Sequence, residues 1–181
     1  MARSTSRTRR WLRRLASLAL LAGLLVVAAL LRAPPERLTA ADGASVRVMD
    51  GDSLRIGARV VRLAGIDAVE LHQSCRARDD AQWSCGLEAR EALRELVARG
   101  GLACLADGRD RYDRALARCA VNGVPDVAAR LVEQGWAIHL EIGGGARYLP
   151  QEAAARAAAR GIWRGTFERP ADWRAAHPRG N

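Results

Sequence analysis

The chain has 181 residues, of which 29 are basic and 20 acidic, for a formal net charge of +9. Seven arginines lie within residues 3–32, a stretch without an acid, whereas residues 38–181 hold 21 Arg against 19 Asp and Glu, a balance of only +2; the basicity belongs to an N-terminal tail and is not the footprint of a nucleic-acid-binding face on the domain. A hydrophobic content of 49% excludes intrinsic disorder over the body of the chain, and the complete absence of lysine excludes a lysine base or Schiff-base nucleophile.

Arg3, Arg7, Arg9, Arg10, Arg13 and Arg14 precede an uncharged run over residues 15–31, which Arg32, Pro34 and Pro35 interrupt. As a helix, those seventeen residues would rise roughly 26 Å, near the lower limit for a hydrocarbon core of about 30 Å. The pattern predicts an arginine-rich cytoplasmic tail over 1–14, a transmembrane anchor or signal segment over 15–31 and a linker over 32–42. An uncleaved anchor is the preferred reading, with the N-terminus cytoplasmic and the rest outside the cell membrane. Secretion after cleavage near Thr39-Ala40-Ala41 is the alternative. Four cysteines, Cys75, Cys85, Cys104 and Cys119, all fall in the exported part, where an even number reads as two disulfides. Zinc fits poorly, since there is no C-x2-C pair and none of His72, His139 and His177 clusters with a cysteine.

A domain over 43–181 follows. Residues 44–49, 53–56 and 59–64 are short apolar or alternating runs divided by Asp50-Gly51-Asp52 and Gly57-Ala58, the spacing of a tight meander. Residues 86–99 place Leu87, Leu93, Leu96 and Val97 near one face with charged residues opposite, and predict an amphipathic helix ended by Gly100-Gly101. Residues 102–105 and 115–121 predict two more strands. A helix that Asp126 caps and Gly135 closes comes next, and a last helix runs from about 150 to 160. This order predicts a mainly β, α+β domain: a five-stranded Greek-key barrel of OB type with about three packed helices.

The chemistry lies at the strand ends. Alone, Asp50-Gly51-Asp52-Ser53 is a hairpin turn, and Asp67 and Glu70 are solvated loop acids. A barrel end, however, can bring the first turn and the exit of the third strand together, so that Asp52 and Asp67 converge with Glu70 nearby. Crowded carboxylates are unfavourable unless a cation neutralises them, and such a set suits Ca2+ or Mg2+. Arg62 and Arg114 would add two guanidinium forks to the same half of the molecule, completing a set able to cleave a phosphodiester. The tryptophans Trp83, Trp136, Trp163 and Trp173 read as packing residues, because none forms an aromatic row on a predicted strand. His72 reads as a solvated loop histidine.

From about Ser45 to Trp173 the chain resembles the staphylococcal nuclease (thermonuclease) family. Val48-Met49-Asp50-Gly51-Asp52-Ser53-Leu54 is similar to its first motif, residues 61–70 (VRLAGIDAVE) to its second and residues 110–117 (DRYDRALA) to its third; LVEQGWA over 131–137 and GIW over 161–163 also fit. Three motifs in order make a specific signal. The resemblance implies that Asp52, Asp67 and the backbone carbonyl of Ala68 bind Ca2+, with Asp50 supporting them. It implies that Glu70 is the general base or positions the attacking water, and that Arg62 and Arg114 grip the phosphate and stabilise its developing charge. The implied reaction is endonucleolytic cleavage of DNA or RNA that leaves 3'-phosphate ends. Four cysteines allow three pairings; the resemblance places Cys104 and Cys119 on adjacent antiparallel strands and so joins them, with Cys75 joined to Cys85 across the loop after Glu70. The chain departs from the family at Val69, usually proline, at Asp113, usually glycine, and between Ile138 and Tyr148, where Glu141 and Gly143-Gly144-Gly145 stand in place of base-contacting tyrosines.

The reading is therefore a Ca2+-dependent endonuclease, monomeric, held at the membrane by its N-terminal segment and acting outside the cytoplasm. Two rivals are a catalytically weak nucleic-acid-binding OB module and an envelope assembly protein. The carboxylate set argues against a pure binder, because acids repel a polyanion.

Overall fold

The computed structural model describes residues 5–30, 34–40, 44–140 and 147–178. The chain divides into two compact units, Met1–Pro34 and Pro35–Asn181. In the first, α1 (Thr5–Leu30) runs through the arginine-rich and apolar stretches without a break, as expected of Leu, Ala and Arg with no proline among them. Among the described residues no helix is long and apolar enough to cross a membrane. The transmembrane anchor expected over 15–31 therefore lacks support: Arg13 and Arg14 sit inside the same helix, which leaves a charge-free part shorter than the about 20 residues of an ordinary span. Residues 31–33 and 41–43 lie outside the described residues.

The second unit is built on a curled half-barrel sheet. Its strands are β1 (Glu36–Thr39), β2 (Val46–Val48), β3 (Ser53–Ile56), β4 (Arg59–Leu63), β8 (Ala103–Arg109) and β9 (Ala115–Ala120), in the spatial order β1-β8-β9-β4-β3-β2. The pairs β2/β3, β3/β4 and β8/β9 are antiparallel, whereas β4/β9 is parallel, with Arg62 beside Leu116. The succession β2-β3-β4-β9-β8 has the strand order of an OB barrel. The expected five strands are thus present, but a sixth lies in the stretch read as a linker over 32–42. Glu36–Thr39 pairs antiparallel with Ala103–Ala106, and Arg59 donates to Glu36 Oε1 at 2.8 Å. Without β1 the outer edge of β8 would present unpaired N–H and C=O groups. Four residues, ERLT, are too short a pattern to announce a strand.

Two small sheets were not expected. β5 (Ile66–Ala68) pairs with β10 (Ala137–His139), and β6 (Cys75–Ala77) lies between β7 (Gln82–Trp83) and β11 (Gly165–Thr166). The third run predicted over 59–64 stops at Leu63, because Gly65 adopts φ +79° and turns the chain into β5. Helices α2 (Cys85–Val97), α3 (Val127–Glu133) and α4 (Leu149–Ala157) correspond to the three expected ones; Asp126 caps α3 by accepting from the Ala129 amide at 3.0 Å. A 3-10 turn (Gly161–Arg164) and α5 (Pro170–Ala176) follow. The expectation of about three helices missed α5, whose Trp173 was read only as a packing residue.

Leu54, Val61, Leu63, Leu93, Leu131 and Tyr148 are among the fully buried residues of the main core. A second cluster joins Val69, Cys75, Cys85, Ala89, Ile138 and Ile162, with Trp83, Trp136, Trp163 and Phe167 packed against it. Three of the four tryptophans pack against the core, with Trp83 meeting Trp136 edge-on at 6.3 Å and Arg164 lying 3.5 Å over the Trp83 ring, whereas Trp173 stacks on His177. Both disulfides, Cys75–Cys85 and Cys104–Cys119, are present, and the second bridges residues directly opposite in the β8/β9 ladder.

Candidate active site

The first turn is ordered by Asp50, whose Oδ1 accepts from the Asp52 amide at 3.1 Å. This aims Asp52 inward, where it is only 3% exposed. The turn at Gly65 brings β5 alongside, so that Asp67, 2% exposed, reaches the same place. The two elements are tied directly, because the Ala68 amide donates to Asp52 Oδ2 at 3.1 Å. Between the acids lies the Arg62 guanidinium on β4, donating to Asp52 Oδ1 and to Asp67 Oδ1, both at 2.7 Å. The fork offers a separate nitrogen to each carboxylate, Nη1 to Asp52 and Nη2 to Asp67, in a fixed planar geometry.

Glu70 follows β5 and is set by its backbone. Its amide donates to Gln73 Oε1 at 3.0 Å, the Gln73 amide donates to the Glu70 carbonyl at 2.8 Å, and Gln73 Nε2 donates to the Glu168 carbonyl at 2.6 Å. Gln73, 1% exposed, thus clamps Glu70 to the segment leading into α5. Val69 is buried in the second core cluster, so packing restrains the loop at the position where the family usually has proline. Gly86 at the start of α2 presses on the same loop, since a Cβ there would collide with the Glu70 carbonyl oxygen.

Sequence reasoning missed Arg174. From α5 it donates to Asp67 Oδ1 at 3.0 Å, to Asp67 Oδ2 at 3.1 Å and to Glu70 Oε1 at 2.8 Å. It belongs to no motif, falls in a seven-residue helix, and arginine is common throughout this chain, so no local signal marks it.

Arg114 approaches from the other side. Asp110 holds it, accepting from Arg114 Nε at 2.7 Å and from the Arg114 and Tyr112 amides at 3.0 and 2.9 Å. Its Nη1 also donates to Ser53 Oγ at 3.4 Å, and that hydroxyl donates to Asp52 Oδ1 at 2.8 Å. Asp113 adopts φ +61°, the left-handed conformation that glycine would take there and that Asp tolerates better than most residues. Glu141 and Gly143-Gly144-Gly145, the departures from the family's tyrosines, lie outside the described residues. Tyr148 is buried and donates to Asp126. His72 is exposed.

Burial pushes the Asp52 carboxyl up to about 6; Arg62 pulls it down, Asp50 and Asp67 push it further up, and the Ala68 amide opposes them. Burial works against the Arg62 cation, but Asp52 and Asp67 outweigh it and hold its affinity for the proton above the usual range. For Arg174 the hydrogen bond to Asp67 is the largest influence and raises it, against partial burial. Arg62 thus favours the charged form of Asp52, but burial outweighs it.

Donor chemistry at Asp52 and Asp67, two buried carboxylates side by side, suits a hard cation. In the arrangement described, however, every oxygen of the pair already accepts a hydrogen bond: Asp52 from Ser53, Arg62 and Ala68, and Asp67 from Arg62 and Arg174. Among the described residues no group of three His, Cys, Asp or Glu side chains is disposed to hold a metal ion. A metal held by Asp52 and Asp67 would have to compete with both Arg62 and Arg174 for these oxygens.

The profile of the staphylococcal nuclease homologue matches residues 60–165, more than half of the chain. The chain belongs to the staphylococcal nuclease family. The matched span holds Arg62, Asp67, Glu70 and Arg114, while Asp52 and Arg174 lie outside it. The chain is also similar to the succinoglycan biosynthesis protein ExoI of Rhizobium meliloti (strain 1021), with 34% identity over 118 residues, 65% of this chain. That match spans 62% of the relative's own length.

Proposed function

We propose that this protein is an endonuclease that hydrolyses phosphodiester bonds of DNA or RNA outside the cytoplasm, leaving 3'-phosphate ends. The observation that carries the reading is the convergence of Asp52, Asp67 and Glu70 on the Arg62 and Arg174 forks, in a chain of this family. Glu70 takes a proton from the water that attacks phosphorus in line with the 5'-oxygen leaving group. Arg62 turns from its acids to the phosphate oxygens, where charge builds in the transition state, and Arg114 grips the phosphate from the Ser53 side. The family's Ca2+ would be held by Asp52, Asp67 and the Ala68 carbonyl, and it would supply positive charge opposite the reacting phosphate. Export is supported by the two disulfides, which persist in oxidising compartments, and by the basic-then-apolar N-terminus. The protein acts as a monomer.

A second reading, a nucleic-acid-binding module without catalysis, draws on the same geometry, since Arg174 neutralises Asp67 and Glu70 and reduces their repulsion of a polyanion. End-labelled single-stranded DNA and RNA incubated with the full chain, in Ca2+ or in excess chelator, separate the two. The nuclease reading expects Ca2+-dependent cleavage and products that a phosphatase shortens in charge at the 3' end. Binding without cleavage in either buffer would select the module, and undiminished cutting in chelator would remove Ca2+ from the proposal.

A further inference from the structure

Four acids at the site, Asp50, Asp52, Asp67 and Glu70, face two cations, Arg62 and Arg174, while Arg114 is matched by Asp110. The site as a whole is thus negative, and a polyanionic strand gains no net attraction from it. Cations that could draw such a strand stand beside the acids, on the outer face of the sheet. On β2 only Arg47 is exposed and on β3 only Arg55, while Leu54 and Ile56 turn to the core. Arg47 and Arg55 are directly opposite one another in the β2/β3 ladder. Beside Arg55 on β4 stands Val60. Since Val61 is level with Ala115 in the parallel β4/β9 pair, one residue back along both strands Val60 is level with Arg114. Arg47, Arg55, Val60 and Arg114 therefore form one row across the sheet, two residues along from the Ser53/Arg62 pair of the site. Neighbouring strands lie about 4.8 Å apart, so the row extends roughly 14 Å from Arg114 to Arg47. Its inner end is already tied to the site, because Arg114 Nη1 donates to Ser53 Oγ at 3.4 Å.

Two arginines directly opposite one another repel, an arrangement that destabilises a sheet. Several exposed arginines of the domain are matched by an acid, as Arg59 is by Glu36, Arg94 by Glu91 and Arg130 by Glu133. Among the described residues Arg47 and Arg55 have no such partner. The small net charge over residues 38–181 conceals this face, because a sum along the chain does not show which charges the strand register gathers on one side. We propose that Arg47 and Arg55 bind the phosphodiester backbone of a nucleic-acid strand that runs from Arg114 across β4, β3 and β2. The proposal rests on the nuclease reading for the identity of the polyanion, and it extends that reading by the direction in which the substrate leaves the site. Contacts to phosphate carry no base information, so this row binds without sequence preference.

The test is fluorescence anisotropy of the full chain in excess chelator with labelled oligothymidylates, a trinucleotide and a strand of about 12 nucleotides, within the range one OB barrel covers. Salt is varied between about 50 and 200 mM. Arg47→Ala combined with Arg55→Ala is compared with Arg78→Ala combined with Arg99→Ala, which removes the same charge from exposed residues outside the six-stranded sheet. Each phosphate contact to a single strand contributes about 0.7 to the slope of log K against log salt, so the first pair should lower the slope for the longer strand by about 1.4. The control pair should match wild type, and the trinucleotide should bind all three proteins alike. Arg47→Lys combined with Arg55→Lys keeps the charge and should keep the wild-type slope. Equal slopes for wild type and the first pair, the same loss in the control pair, a slope that lysine does not keep, or no binding of the longer strand would each overturn the row. Displacement by polyglutamate as effective as by unlabelled oligonucleotide would overturn its assignment to nucleic acid. Cleavage in Ca2+ with the same proteins separates the two readings. The slope pattern without cleavage leaves the row standing and removes the nuclease, while cleavage with equal slopes does the reverse.

Discussion

Glu70 is the residue on which the chemistry turns, because it stands beside the acid pair yet is held mainly through its own backbone by Gln73. Glu70→Gln keeps that clamp and the side-chain shape while removing the base. Cleavage should fall by roughly a hundredfold or more, with oligonucleotide affinity retained; normal turnover in this variant would place the base elsewhere. At Arg114 the controlling residue is Asp110. Burial pushes its carboxyl up, but hydrogen bonds from the Arg114 side chain, the Arg114 amide and the Tyr112 amide outweigh this and hold it below its ordinary value. A lowered folded value means that Asp110 stabilises the fold above its unfolded value of about 3.9, and that this contribution disappears as pH falls through the lower folded value. Wild type should therefore melt above Asp110→Asn at pH 6, and the gap should close as melting curves are recorded below pH 4. A gap that stays constant would show that Asp110 does not hold Arg114 through its charge.

Among the elements, α2 matters to the site through its first turn. Gly86 lies so close to the Glu70 and Leu71 carbonyl oxygens that a methyl group would force the loop to move. Gly86→Ala should cost about 1–3 kcal/mol in urea unfolding and lower kcat as well. Gly108→Ala on β8, where an added Cβ meets nothing within 4 Å, should do neither. Equal behaviour of the two variants would mean that α2 does not set the position of Glu70. The helix over 85–97 was readable from its apolar face, and that over 127–133 from Asp126 as its cap and Gly135 as its stop. β1 and α5 were not. Each is short, and each is held by a remote partner, β1 by the edge of β8 and α5 by Asp67 and Glu70.

For the whole domain, the two disulfides join parts that differ in their relation to the chemistry. Each closes a separation of 10 or 15 residues, for which chain entropy predicts about 3 kcal/mol. Reduction should lower the denaturation midpoint accordingly. At equal residual folding, Cys75→Ser with Cys85→Ser should impair cleavage more than Cys104→Ser with Cys119→Ser, since the first bridge restrains the chain just after Gln73 and the second staples the β8/β9 ladder away from Glu70; the opposite ranking in kcat/KM would refute this link. The sequence by itself determined the family resemblance, the alternation of the five strands and the motif residues Asp52, Arg62, Asp67, Glu70 and Arg114, because periodicity, turn chemistry and motif spacing are local properties of a chain. Tertiary structure decided what those side chains do to one another: that Arg62 bridges Asp52 and Asp67, that Gln73 clamps Glu70, and that Arg174, 104 residues beyond Glu70, closes the site. An ion pair between distant segments leaves no local period, and its formation depends on the fold that brings the charges together out of water.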